Sequence, residues 1–485
     1  MSGINRRDMM KIAASALGVG LVPPRQVSGS MLDQVPIRQR QKARFHRKVI
    51  VGGGGIGGLC CAYELMMRGH EVVLLEASSH TGGHVKTLHD PFADNLYADV
   101  GAEHFTKPGY DLYWGYLREF NLTPLYYPHH EHEIRFIKGN RYTDEDLANP
   151  KILAGFGFNQ REIAYLREHP WWDFPSLYLD PYLDSFPNEY KPFEAGLNNL
   201  DDVTFNEVLK KDGASAAAVE FIGSGGSALH EIWHAAILKK RGVPLVPPIV
   251  YRLKGGNQVL PDTFAKKLGE RIHLNAPVTG IEHGASGVRV IYREFEQPRK
   301  MDADFLVCSM NAVILRRIPV APDWPESKTY ALNNVAYDMY SRVAIQTRSA
   351  FWEPDKISPN WSGADPNLAS LWRMAEEVDT PRAILVATAM NSATAKDSVE
   401  AFRRVYWGKS EDIEQAVIQR WADDPWSMAC ETVTYRVGDL KRMWPSLMEP
   451  VGRVHFAGAY TDNLNWGQEA ATRSANRVAD AIDAA

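Results

Sequence analysis

Between Lys48 and Glu76 the order of residue types allows few folds. Lys48-Val49-Ile50-Val51 is a short run of β-branched residues, the mark of a buried strand, and it passes straight into Gly52-Gly-Gly-Gly-Ile-Gly-Gly58. The fitting register is Gly53-x-Gly55-x-x-Gly58, although one starting at Gly52 also fits the run. In this pattern the first glycine permits a tight turn and the second lets a pyrophosphate approach the backbone. The third lets the following helix pack closely on the strand. Leu59, Ala62, Leu65 and Met66 recur at helical spacing and predict that helix, whose N-terminal amides would face phosphates. Gly69 ends it, and Glu71-Val-Val-Leu-Leu-Glu76 predicts a second strand. Glu76 follows Gly53 by 23 residues, where an acid accepts hydrogen bonds from a ribose. The glycines alone would be weak evidence. The full sequence of strand, glycines, helix, strand and acid predicts a Rossmann-like dinucleotide site.

The rest of the composition sets limits. At 485 residues the chain can bury a large core and divide into two or three domains. A net charge of −5 without a long single-sign run gives no basic stripe, so no nucleic-acid partner is expected. Four cysteines, at 60, 61, 308 and 430, make no disulfide framework, and the adjacent Cys60 and Cys61 fit buried thiols on the first helix. His129, His130 and His132 lie among acids but have no closed metal-ligand spacing, so a polar loop and no metal site are expected. The first thirty residues differ in kind. Arg6-Arg7 precedes a short apolar run, Ile12 to Val22, and then Pro23-Pro24. The pair resembles a twin-arginine export signal, which would make the protein periplasmic or exported, with the export machinery as a partner. Residues 31–47 are expected to be a polar linker.

Beyond Glu76 the sequence resembles the flavin-containing amine oxidase family, which includes monoamine, polyamine and L-amino-acid oxidases. The family's Glu-Ala-x-x-Arg-x-Gly-Gly-Arg motif is matched by Glu76-Ala77-Ser78-Ser79-His80-Thr81-Gly82-Gly83-His84, with histidine at both arginine positions. Asp99-Val100-Gly101-Ala102-Glu103 resembles a segment near the flavin. Gly255 to Pro261 resembles the return to the FAD domain, and Val278 the valine near the adenine. Arg453 to Asp462, with Gly458 and Ala459, resembles the final FAD motif, and a helix from about Gly467 to Ala484 follows. The resemblance covers about residues 45–485 and implies FAD as cofactor. Gly53, Gly55, Gly58, Glu76, Ala77, Gly82, Gly83, His84, Gly101, Ala102, Val278, Gly458, Ala459, Gly467 and Gln468 are the expected cofactor-binding residues.

The resemblance weakens where chemistry is done. Pro319 falls at the position of the lysine that relatives bridge through water to flavin N5, and Lys328 is expected to face solvent. His104 falls near the arginine with which L-amino-acid oxidases hold a carboxylate, which makes a free α-amino acid a less favoured substrate. Glu431 replaces one aromatic flanking residue and Gly467 the other, leaving Trp466 one step away as a pocket candidate. His104, Glu431 and Trp466 are therefore the candidate catalytic residues. Cys430 coincides with the cysteine that binds FAD covalently in monoamine oxidases, but its neighbours have changed.

The expected fold is α/β. A Rossmann-like FAD domain would be assembled from residues 45–105, 250–315 and 450–485, beside an α+β substrate domain from 106–249 and 316–449. The 106–249 insert should be largely helical, with an irregular cover over 155–200 and a helix over Asp412 to Trp421. The implied function is FAD-dependent oxidation of an amine or related small molecule, with hydride passing to flavin N5 and oxygen or another acceptor reoxidising the ring. The changed motifs leave a carbon–carbon desaturase or isomerase, and a non-catalytic FAD-binding or electron-transfer protein, as alternatives. A homodimer is compatible with the resemblance. No Ser, Cys and His arrangement suggests a hydrolase.

Overall fold

The computed structural model of the protein describes residues 29–127, 132–247, 249–355, 358–430, 432, 435–464 and 467–485. The predicted strand, helix and strand form as β1 (Lys48–Gly52), α1 (Ile56–Arg68) and β2 (Glu71–Leu75). Val49, Ile50 and Val51 have no exposed surface, as a strand covered on both faces requires. Three later segments join the same sheet: β3 (Ile272–His273), β4 (Phe305–Cys308) and β5 (Val454–Phe456). All pairings are parallel, in the order β3-β2-β1-β4-β5. The order reverses between β1 and β4, and a crevice at the carboxyl ends of those strands is where such sheets take ligands. The C-terminal helix α2 (Gly467–Asp483) lies against α1.

A second sheet has seven strands, in the order Ile413–Arg420, Tyr340–Thr347, Ala383–Met390, Leu368–Met374, Trp361–Asp365, Ile134–Ile137 and Asn140–Tyr142. Side chains alternate faces along each strand. Ala344, Val386, Trp372 and Met374 pack on Phe92, Leu96, Tyr97, Val100 and Tyr127, toward the first sheet's glycine-rich loops. Val343, Ile345, Leu371 and Leu385 pack on the opposite side with Phe351, Trp352 and Phe402. The protein is thus an α/β FAD-type fold with a substrate-side sheet.

Three expectations are corrected. Asp412 to Trp421 is not a helix, because Ile413–Arg420 pairs antiparallel with Tyr340–Thr347 from Ser341↔Arg420 to Thr347↔Ile413. The short run of Ile413, Val417 and Ile418 suits either element, and the open sheet edge decides it. Residues 155–200 are irregular only in part: they hold helices Gln160–Glu168 and Ser176–Leu183, the first opened by an Asn159–Glu162 capping box. Residues 34–47 hold no helix or strand, and Arg40 among them bridges Glu64 and Glu119, each at 2.8 Å. Lys328 does not face solvent. It is 2% exposed, and its ammonium donates to the carbonyls of Ser446, Leu447 (3.3 Å) and Glu449 (2.8 Å), above the Phe456 ring. Among the described residues no helix is long and apolar enough to cross a membrane.

Candidate active site

The glycine loop has the geometry its spacing predicts. Gly53 turns with φ +105, and a Cβ there would meet the Ser309 backbone at 3.0 Å. A Cβ on Gly58 would stand 1.9 Å from the Gly53 carbonyl, so only glycine lets α1 start this close to β1. Gly55 caps α1 and faces Gly83, whose added Cβ would lie 3.0 Å from the Gly55 Cα. Gly82 donates its amide to the Gly54 carbonyl at 2.9 Å, so the second glycine pair lies across the first. Glu76 leaves β2 buried. Its carboxylate accepts the Gly54 amide at 2.5 Å and the Ser78 amide, beyond Ala77, at 2.7 Å. Val278 approaches the same loop, its side chain 3.4 Å from where a Gly52 Cβ would be.

The later motifs close around this cradle. The Ala102 amide donates to the His84 carbonyl at 3.0 Å, and a Cβ on Gly101 would collide with that carbonyl at 1.8 Å. Asp99 is fully buried and accepts from Thr87 Oγ1 (2.5 Å) and the Asn257 amide (3.0 Å), while Asn257 Nδ2 donates to the Ala102 carbonyl (3.1 Å). Burial pushes its carboxyl up to about 7 despite those donors. Gly458, at φ +132, follows β5; its amide donates to Ser474 Oγ on α2 (2.8 Å), and Ala459 begins a 3-10 turn. Gly467 and the buried Gln468 open α2. Beside them Glu469 accepts the amides of Leu112 (3.2 Å) and Tyr113 (2.9 Å), with burial raising it to about 8.

His84 takes a specific place. Its Nε2 meets the Ala429 carbonyl at 2.7 Å, its ring stacks on Trp421 at 3.8 Å, and burial lowers its pKa to about 4. It is a neutral ring near pH 7 and offers a phosphate none of the charge of an arginine. His104 lies beside Glu103, with Nδ1 to Oε1 at 3.7 Å, and Arg342 Nη2 approaches the same Glu103 oxygen at 3.5 Å. Pro319 forms part of a sheet edge, its carbonyl accepting the Ile281 amide at 2.9 Å. Glu431 and Trp466 lie outside the described residues, as do His129 and His130 of the histidine cluster. Among the described residues no group of three His, Cys, Asp or Glu could hold a metal.

Sequence reasoning missed Tyr110, Trp421, Trp372 and Arg342. Tyr110 fills the space beside Gly467, with its hydroxyl 2.6 Å from where a Cβ on that glycine would be. Trp421 donates its indole to the Val100 carbonyl at 2.8 Å. Nothing local marks these residues: each reaches the site from a distant element.

Fold and cradle together define an FAD-dependent oxidoreductase. The crossed glycine pairs leave the backbone bare where a pyrophosphate would lie, and Glu76 stands at the ribose end, so these residues fit FAD. The chain belongs to the flavin-containing amine oxidoreductase family, whose pattern matches residues 56–483. It is 26% identical over 471 residues to an L-amino-acid oxidase of Demansia vestigiata, covering 90% of this chain and 87% of that one. It is 25% identical over 463 residues to an L-amino-acid oxidase of Bothrops moojeni, covering 90% of each. Among solved structures it resembles wild-type putrescine oxidase (TM-score 0.75, 19% identity, 91% of this chain and 100% of that one). It also resembles cyclohexylamine oxidase from Brevibacterium oxydans (TM-score 0.74, 20% identity, 91% and 99%).

Proposed function

We propose that the protein oxidises a small amine or amino acid, the substrate C–H hydrogen leaving as hydride to flavin N5, with oxygen or another acceptor taking the electrons onward. The observation that carries this reading is the juxtaposition of the cradle with a polar side chain of the facing sheet: Glu103 and His104 follow Gly101-Ala102 directly, and Arg342 approaches Glu103 from the strand Tyr340–Thr347. Bound FAD would supply the two-electron acceptor. The chain's own part is to hold the substrate carbon over the ring, exclude water and accept the ammonium proton, a role we assign to Glu103 or His104 beside Gly101-Ala102. The relatives, oxidases of amines and amino acids, lend no support to the desaturase, isomerase or non-catalytic readings.

Arg6-Arg7 and the apolar run behind it support export through a twin-arginine route, which suits an enzyme that folds around its cofactor first. The test of the reaction is anaerobic mixing of the flavin-loaded protein with a panel of amines and amino acids. Bleaching near the flavin absorption maximum, followed by peroxide formation in air, is expected. An unreduced flavin across the panel sinks the proposal.

A further inference from the structure

One segment of the substrate side joins the two lips of the cofactor crevice. The first lip is the Gly82-Gly83-His84 turn, which lies across the glycine loop beyond β2. The second follows β4, where the Ser309 amide donates to the Gly52 carbonyl at 2.8 Å and Asn311 stands two residues further on. Residues 421–430 reach both lips. On the first, Trp421 donates to the Val100 carbonyl (2.8 Å) and stacks on the His84 ring (3.8 Å), while His84 Nε2 donates to the Ala429 carbonyl (2.7 Å). On the second, Asn311 Nδ2 donates to the Ser427 carbonyl at 2.7 Å. Between these ties the chain is folded on Asp424. Its Oδ1 accepts the amides of Trp426 (2.9 Å) and Ser427 (3.0 Å), and its carbonyl accepts that of Met428 (2.9 Å).

We infer that residues 421–430 are a strap closed over the cofactor crevice and that His84 is its latch, a positioning residue acting through Ala429 and not a ligand of the pyrophosphate. A carbonyl only accepts, so the bond to Ala429 fixes a proton on Nε2. Burial keeps the ring neutral near pH 7, which leaves Nδ1 a lone pair and no proton to offer a phosphate oxygen. The histidine at the motif's second arginine position thus exchanges a phosphate contact for a tie to the substrate side. Ser427 Oγ also donates to the Ala429 carbonyl, at 2.9 Å, so losing the His84 donor slackens the strap without orphaning a buried group. A cover that must open for passage slows FAD entry and exit alike, whereas a direct ligand slows exit alone. This closure does not depend on which substrate is oxidised.

FAD association is followed by the change in flavin fluorescence on mixing with apoprotein, and dissociation by its reversal when the holoenzyme is diluted. His84→Phe keeps a ring against Trp421 but loses the donor. Asn311→Ser keeps a cap for the Ile314 amide but loses the tie to Ser427. In each variant both rate constants should rise roughly threefold to tenfold, the scale of one hydrogen bond, with Kd changing less than either rate. His84→Gln, which retains an N–H donor, should stay closer to wild type than His84→Phe. Amide hydrogen exchange in the holoenzyme should quicken over residues 421–430 in both variants while Lys48 to Glu76 keep wild-type protection. A rise in dissociation alone in His84→Phe makes the imidazole a direct FAD ligand and overturns the latch. Wild-type rates in Asn311→Ser, or exchange that quickens as much over Lys48 to Glu76, overturn the strap. Should His84→Phe fail to hold flavin, Asn311→Ser and His84→Gln decide by the same rates.

Discussion

The Tyr110 hydroxyl stands 2.6 Å from the point a Cβ on Gly467 would occupy, and Gly467 itself has φ +80. The position that holds an aromatic in relatives is therefore closed to any side chain here, twice over: by a clash and by a left-handed backbone. Gly467→Ala should lower the melting temperature and the flavin content together. Tyr110→Phe in the same chain should relieve the clash, because the next ring atom lies 3.6 Å away, but leave the backbone cost of about 1–2 kcal/mol. Full recovery in the double variant would show that φ is not constrained, and no recovery that Tyr110 is not the obstacle.

Glu76 predicts a second outcome. Its carboxylate is held by the Gly54 and Ser78 amides at the rim of the cradle, so it is positioned before any ribose arrives. Glu76→Gln keeps the shape but gives up charge-assisted acceptance, worth about 1.5–3 kcal/mol. FAD affinity should fall by roughly tenfold to a hundredfold, measured by titrating the apoprotein with FAD. Unchanged affinity would place the ribose elsewhere.

The residues from Lys48 to Glu76 were legible because each signal is local: β-branched run, glycine spacing, helical period and terminal acid all lie within one βαβ unit. What escaped depends on partners far along the chain. Ile413–Arg420 is a strand because Tyr340–Thr347 offers an edge, which no spacing within the segment reveals. Lys328 looks like a surface lysine until the carbonyls near residues 446–449 close over it. Arg342 acquires meaning only from register, since Thr388 and Gln419 flank it across strands that are remote in sequence.

Lys328 gives a third prediction. Its ammonium satisfies carbonyls at the turn before β5, and burial depresses its pKa to about 7. Lys328→Met removes the donor while leaving those carbonyls buried, a loss of roughly 2–4 kcal/mol. The urea midpoint should shift down at constant m-value, and an unshifted midpoint would mean that water replaces the ammonium without cost.

The helix Ala228–Lys240 sets a pH dependence. His230 and His234 lie on it four residues apart, and burial lowers them to about 3 and about 4, with each other's charge a smaller contribution for His230. The unfolded chain binds protons at these histidines below about pH 6.5, while the folded chain does so only near pH 4. Their stabilisation is thus complete above about 6.5 and lost as pH falls toward 4, at up to about 1.4 kcal/mol per pH unit for each histidine. Asp99 and Glu469, raised by burial to about 7 and about 8, act in the opposite sense, losing stability as pH rises through those values. Their effect is shared by wild type and a His230→Leu/His234→Leu variant, so the difference between the two isolates the histidines. Unfolding free energies measured from pH 7.5 to 5 should fall more steeply in wild type than in the variant, whatever the variant's absolute stability. Parallel curves would mean that the two imidazoles are protonated in the folded protein, and that the helix is packed around charge rather than around neutral rings.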